Sequence, residues 1–147
     1  MSEATGGPGR DVRVLVVDDY AEMRALIGVA FAFAKGFEVV AEAADAEEAV
    51  AAAGRVRPDA VVLDVRLPGR DGPAAIPDIV EAAGGHCAVV LLTGLSEEHE
   101  LTAAARAAGV PIHSKGDLSK LPDVLRSLVD ASPELRRALG VTKTARR

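Results

Sequence analysis

Five polar side chains stand directly after apolar runs. Asp18 and Asp19 follow Val12–Val17, Asp64 follows Ala60–Leu63, Thr93 follows Cys87–Leu92, and Lys115 follows Val110–Ser114. If the runs are parallel strands of one open sheet, all five positions share the edge at the carboxyl ends of the strands, where such sheets bind ligands. Carboxylates gathered there repel: two unit charges 4 Å apart cost about 4 kcal/mol at an effective dielectric near 20. Either a carboxyl group keeps its proton or a cation sits among them. Hard oxygen ligands in an open cleft suit Mg²⁺, which takes one or two carboxylates and completes its shell with water and phosphate oxygens. Lys115 adds a point charge for an anion and Thr93 a hydroxyl donor. Together they are expected to hold a phosphoryl group and its metal. Singly they are ordinary: an Asp pair can be only a turn and helix cap, and Asp64 precedes a Pro-Gly loop. Turn chemistry does not explain why all five fall at strand ends.

The elements that must position them alternate strand and helix. Val12–Val17 is β-branched and almost continuously apolar, as in a strand buried on both faces. A helix opens at Asp19 or Tyr20, carries Met23, Leu26, Ile27, Ala30 and Phe31 on its core face, and ends at Lys35-Gly36. Phe37–Ala41 is a second strand. Asp45-Ala46-Glu47-Glu48 has the form of a capping box before an alanine-rich helix ending near Gly54. The third strand, Ala60–Leu63, leads through a Pro68–Gly72 loop to a helix over Pro73–Ala83. After the fourth strand, Cys87–Leu92, Ser96-Glu97-Glu98 starts a helix that ends at Gly109. Val110–Ser114 is the fifth strand, and Asp117 caps a last helix through Leu128. Five βα units make a doubly wound α/β domain with a five-stranded parallel sheet and helices on both faces.

Composition narrows the class. With 147 residues, 49% hydrophobic and 27% charged, the chain suits one globular domain. A flexible leader is expected over 1–10, the domain over 11–130, and a basic tail with room for a short helix over 131–147. The longest strongly apolar stretch, Ala25–Ala34, is far short of a membrane span. One cysteine excludes an internal disulfide and suits a reducing, cytoplasmic setting. His86, His99 and His113 have no metal-ligand spacing with Cys87. The net charge is -5, with five basic side chains and one acid in the tail. The acidic body that remains argues against nucleic-acid binding by this chain.

The motifs Val-Leu-Val-Val-Asp18-Asp19, Val-Leu-Asp64-Val-Arg-Leu-Pro68-Gly69-Arg-Asp-Gly72, Leu-Leu-Thr93-Gly94 and Ser114-Lys115 occur in order, each at a strand end. Over residues 11–130 the chain resembles a response-regulator receiver domain of two-component signalling. That resemblance implies a flavodoxin-like sheet of order 2-1-3-4-5. It also implies that Asp64 is the phosphoacceptor, receiving a phosphoryl group from a histidine kinase or a histidine phosphotransfer protein. Asp19 and Asp64 would hold Mg²⁺ with the backbone carbonyl of Arg66, Asp18 would act mostly through water, and Thr93 and Lys115 would bind the phosphoryl oxygens. The resemblance implies a switch acting on an output protein, not an enzyme, with self-phosphorylation and self-dephosphorylation its only reactions.

Three departures bear on function. Ile112 stands where the family has an aromatic three residues before the lysine, which puts the usual coupling to output in doubt. Gly116 stands where proline often follows the lysine, so a trans bond is expected. Arg66 and Leu95 occupy the positions where the family tunes loss of the phosphoryl group. A stand-alone receiver is the first expectation, and a receiver fragment of a longer DNA-binding regulator the alternative. A phosphatase of the haloacid dehalogenase type also uses an Asp nucleophile and Mg²⁺, but needs a second Asp two residues on, where Arg66 stands.

Overall fold

A computed structural model describes residues 9–94 and 99–140. The elements are β1 (Val12–Val17), α1 (Ala21–Ala32), β2 (Phe37–Ala43), α2 (Ala46–Val56), β3 (Ala60–Asp64), α3 (Gly72–Ala82), β4 (Ala88–Thr93), α4 (His99–Ala107), β5 (Ile112–Ser114), α5 (Leu121–Asp130) and α6 (Pro133–Leu139). The five strands are parallel in the order β2-β1-β3-β4-β5. The expected doubly wound topology is therefore the observed one. Among the described residues no helix is long and apolar enough to cross a membrane.

The continuous apolar runs follow from burial on both sides. Leu15, Val17, Val61, Leu63 and Leu91 face one way, against α2, α3 and α4. Val14, Val16, Val62, Val90 and Leu92 face the other, against Ile27 and Phe31 of α1 and Leu121, Leu125 and Val129 of α5. The alanines have a use here: Ala49, Ala52 and Ala53 let α2 lie close on the first face. Asp45 caps α2 as expected, its Oδ1 accepting from Glu48 N at 2.8 Å. Glu48 Oε1 accepts from Ala44 N, not from Asp45 N, so the capping box closes one residue early.

Several expectations are corrected. Asp117 does not cap the last helix. It has φ -134° and ψ 47° inside a 3-10 turn, Lys115–Lys120, and α5 begins only at Leu121. The start of that chain segment is held instead by Ser114, whose Oγ accepts from Gly116 N at 3.0 Å. Helix α1 ends at Ala32, three residues before Lys35, and the turn to β2 is made at Gly36 with φ +91°. Leu26, expected in the core, is exposed, because Ile27 and Phe31 carry the inward face. β2 runs on to Ala43 past a bulge opposite Val14 and Leu15. β5 is shorter than expected, Ile112–Ser114, since Pro111 offers only its carbonyl, which accepts from Leu91 N at 2.9 Å. The expected helix start at Ser96-Glu97-Glu98 lies outside the described residues.

Both ends of the packed body reach beyond 11–130. Arg10 grips Asp59 with two hydrogen bonds, 2.6 and 3.0 Å, and Asp59 also accepts from Arg13 N at 2.8 Å. Short helix α6 is capped by Ser132, whose Oγ accepts from Leu135 N at 3.2 Å. It buries Leu135 and Leu139 against the α1–α5 layer. Composition hides this, since the two leucines are spaced i, i+4 among charged neighbours. Leu135→Ala and Leu139→Ala should each lower stability by about 2–4 kcal/mol in urea unfolding. A loss below about 0.5 kcal/mol would mean that α6 is a solvated appendage.

Candidate functional site

Register assembles the site. Val17 of β1 lies beside Leu63 of β3, so Asp18 and Asp64 leave adjacent strands at the same level. Thr93 of β4 lies beside Ser114 of β5, and Lys115 is one residue further. Asp18 is fully buried and Asp64 3% exposed, while Asp19 faces solvent. One carboxylate oxygen from each of Asp18, Asp19 and Asp64 lies within 4.8 Å of the others. Lys115 Nζ reaches over them, 3.1 Å from Asp64 Oδ2 and 3.2 Å from Asp18 Oδ2.

The surrounding backbone fixes these groups. Asp18 Oδ1 accepts from Tyr20 N at 2.9 Å. Asp18 N donates to Ala43 O, and Asp18 O accepts from Arg24 Nη1 at 2.7 Å, with Arg24 also paired to Glu42. Asp64 Oδ1 accepts from Arg66 N at 3.1 Å. The loop after Asp64 is pinned by Arg70, which pairs with Glu47 on α2 and Asp78 on α3. Gly72 closes the loop by donating to Val65 O at 2.9 Å. A Cβ there would stand 2.2 Å from Asp64 O, so only glycine lets α3 start this close to Asp64.

The electrostatics favour a cation. Burial first, then the charge of Asp18, raise Asp64 to about 6, against the lowering effects of the Arg66 amide and Lys115. Burial alone would lower Lys115, but its hydrogen bond to Asp64 and the charges of Asp64 and Asp18 outweigh it and raise it. The ammonium therefore stays charged, yet one cation faces three carboxylates. Asp18 Oδ2 is buried and, beyond its ionic contact with Lys115, accepts no hydrogen bond. A buried carboxylate oxygen held only by Lys115, beside two further carboxylates, is a donor set that fits Mg²⁺. Among the described residues this is the one cluster of potential metal ligands. Cys87 is pushed up to about 12, mainly by burial and then by the charge of Asp59, so its thiol stays protonated.

The structure brings Asp18, Asp19, Asp64 and Lys115 together at the strand ends. Thr93 sits partly buried at the end of β4, and a Cβ at the adjacent Gly94 would lie 3.8 Å from Lys115 Cδ. Arg66 is exposed, and the Lys115–Gly116 bond is trans, as are all peptide bonds among the described residues. Leu95 lies outside the described residues. Sequence reasoning missed Tyr20, Arg24 and Arg70 as positioning residues. Gly72 was in view only as the last residue of the motif that follows Asp64; its contact with the Asp64 carbonyl was not.

The response regulator receiver domain family matches residues 14–125, and the chain belongs to that family. It is 40% identical over 93 residues to a protein-glutamate methylesterase/protein-glutamine glutaminase of Caldanaerobacter subterraneus, covering 63% of this chain and 25% of that one. It is 38% identical over 97 residues to the transcriptional regulatory protein PdtaR of Mycobacterium tuberculosis, covering 66% of this chain and 45% of that one. The chain thus spans a quarter to a half of the length of these relatives. Among solved structures, the response regulator domain of Thermotoga maritima CheB superposes with a TM-score of 0.64, at 29% identity over 91% of this chain and all of that one. CheY of Borrelia burgdorferi, in complex with CheX, BeF3 and Mg²⁺, gives 0.68 at 27% identity over 80% and 89%.

The raised Asp64 makes a prediction for the metal-free protein. An acid that binds its proton more tightly when folded costs stability once ionised. The contribution of Asp64 to stability should be fully present below about pH 4 and be lost as pH rises through about 6. Asp64→Asn, melted in chelator, should raise Tm at pH 7 and by much less at pH 4. A lower Tm at pH 7 would show that the ionised carboxylate stabilises the fold.

Proposed function

We propose that this protein is a phosphorylation-controlled switch whose acceptor is Asp64. The observation that carries the reading is the Lys115 ammonium 3.1 Å from Asp64 Oδ2, inside a carboxylate cluster at the strand ends. With a pKa of about 6, Asp64 is largely ionised at pH 7 yet more basic than an ordinary aspartate, which suits a nucleophile. Its carboxylate oxygen attacks the phosphorus of a phosphohistidine on a histidine kinase or phosphotransfer protein. The P–N bond breaks, the imidazole leaves with a proton, and an acyl phosphate forms on Asp64. Asp19 and Asp64, with the carbonyl of Arg66, would hold Mg²⁺, and Asp18 would act mostly through water. Bound Mg²⁺ would neutralise the carboxylates and the charge that develops on transfer. Lys115 and Thr93 then hold the phosphoryl oxygens, so Lys115 must leave Asp18.

The Borrelia burgdorferi structure with BeF3 and Mg²⁺ supports this assignment by likeness of fold. A cytoplasmic setting and an output protein partner fit the same reading. A second reading, the receiver of a longer regulator, is favoured by the short share of its relatives that the chain spans. Intact mass of the protein isolated from its source separates the two. The Asp64 cluster offers a phosphoryl acceptor and not an ester-cleaving nucleophile with its base, so the methylesterase activity in one relative's name has no counterpart in it.

Acetyl phosphate with Mg²⁺ should add one phosphoryl group, seen as a single mass increment. EDTA or Asp64→Asn should abolish it. Labelling that persists in either case would move the acceptor elsewhere.

A further inference from the structure

The outer face of α1 is apolar. Ala25, Leu26, Val29, Ala32 and Phe33 are exposed, and Leu26, Val29 and Phe33 keep 54, 50 and 88% of their surface. Leu26, Val29 and Phe33 border a groove of about 640 Å³ between α1 and α5, lined further by Phe37, Pro122 and Arg126. The monomer does not use this face, since Ile27 and Phe31 on the opposite side carry the packing of α1.

Gly28 is a second, independent observation. A glycine inside a helix weakens it relative to alanine, and a Cβ at Gly28 would meet nothing within 4 Å. Packing within the monomer therefore does not require glycine there, whereas an approaching second backbone would. Ala21, Ala25, Gly28 and Ala32 form a row of small residues along one flank of the face. Leu26, Val29 and Phe33 form a ridge beside it. Ridge and groove on one face can interdigitate with a copy of themselves.

Charge selects the direction. Glu22 lies exposed at the start of the face and Lys35 exposed just beyond its end. An antiparallel two-fold pairing sets Leu26 of each copy near Val29 of the other and brings Glu22 toward Lys35 of the second copy, twice. A parallel pairing sets like charges together. The face exposes on the order of 500 Å² per copy, near the upper range for a monomer's largest apolar patch. Two copies would bury roughly 1,000 Å², the lower bound of a specific interface.

We propose that the protein self-associates through α1 as a weak, antiparallel, two-fold dimer. The proposal does not depend on the phosphotransfer reading. Sedimentation equilibrium of the full chain should show a monomer–dimer equilibrium with Kd in the micromolar range. Val29→Glu should raise that Kd at least about tenfold. Gly28→Ala should raise the thermal stability of the monomer and weaken the dimer. Glu22→Lys and Lys35→Glu should each weaken it, and the two together should restore it. Circular dichroism melts check that each variant folds, as expected at exposed positions. A chain that stays monomeric, a dimer indifferent to Val29→Glu, or a double reversal no better than the single ones overturns the proposal. Binding of a foreign helix by a monomeric chain does the same.

Discussion

The Lys115 ammonium bridging Asp18 and Asp64 is the contact on which the site depends. It joins the end of β5 to the ends of β1 and β3 and lies over two carboxylates that the fold has taken out of water. Buried charges tolerate such proximity only when paired. Here the pairing is incomplete: Asp64 is raised to about 6, and Asp18 Oδ2 lacks a hydrogen bond. The cluster is thus held in an arrangement that an added cation would relieve. A site of this kind is stabilised by what it binds.

The parts that maintain this arrangement are mostly not titratable. The β1–β3 register sets the level of the two aspartates. Gly72 lets α3 begin against the Asp64 carbonyl, and Arg70 ties the intervening loop to two helices. Output is a separate matter. Ile112 is partly buried against the α2–α3–α4 side of the core and carries no ring to turn and no phenol to hydrogen-bond. A modification shifts an equilibrium only through differential contacts in two states. If Asp64 accepts a phosphoryl group as proposed, the response is expected around Asp64 and Thr93, with little change near Ile112.

Much of this was legible in the sequence because strand-end polar residues interrupt apolar runs. Val12–Val17 followed by Asp18-Asp19 gives both a buried strand and its functional edge. The strand order was available only through family resemblance, since local patterns do not say which strands are neighbours. Contacts distant in sequence were hidden. Arg10 on Asp59 and Leu139 on the α1–α5 layer involve charged or mixed segments whose periodicity is too short to read. Leu26 shows the opposite failure. Its 3–4 spacing with Met23 and Ala30 marked a core face, but α1 is apolar nearly all round, and periodicity cannot choose between two apolar faces.

In the proposed phosphoacceptor role, Lys115 would exchange Asp18 for a phosphoryl group while the carboxylates take a metal. A crystal structure with beryllofluoride and Mn²⁺, the metal located by anomalous scattering, tests it most directly. Mn²⁺ is expected on Asp19, Asp64 and the Arg66 carbonyl, with fluorines facing Thr93 and Lys115. Lys115 should stand away from Asp18, and the backbone around Ile112 should be unmoved. Mn²⁺ bound elsewhere, or Lys115 still paired with Asp18 beside a beryllofluoride on Asp64, would contradict it.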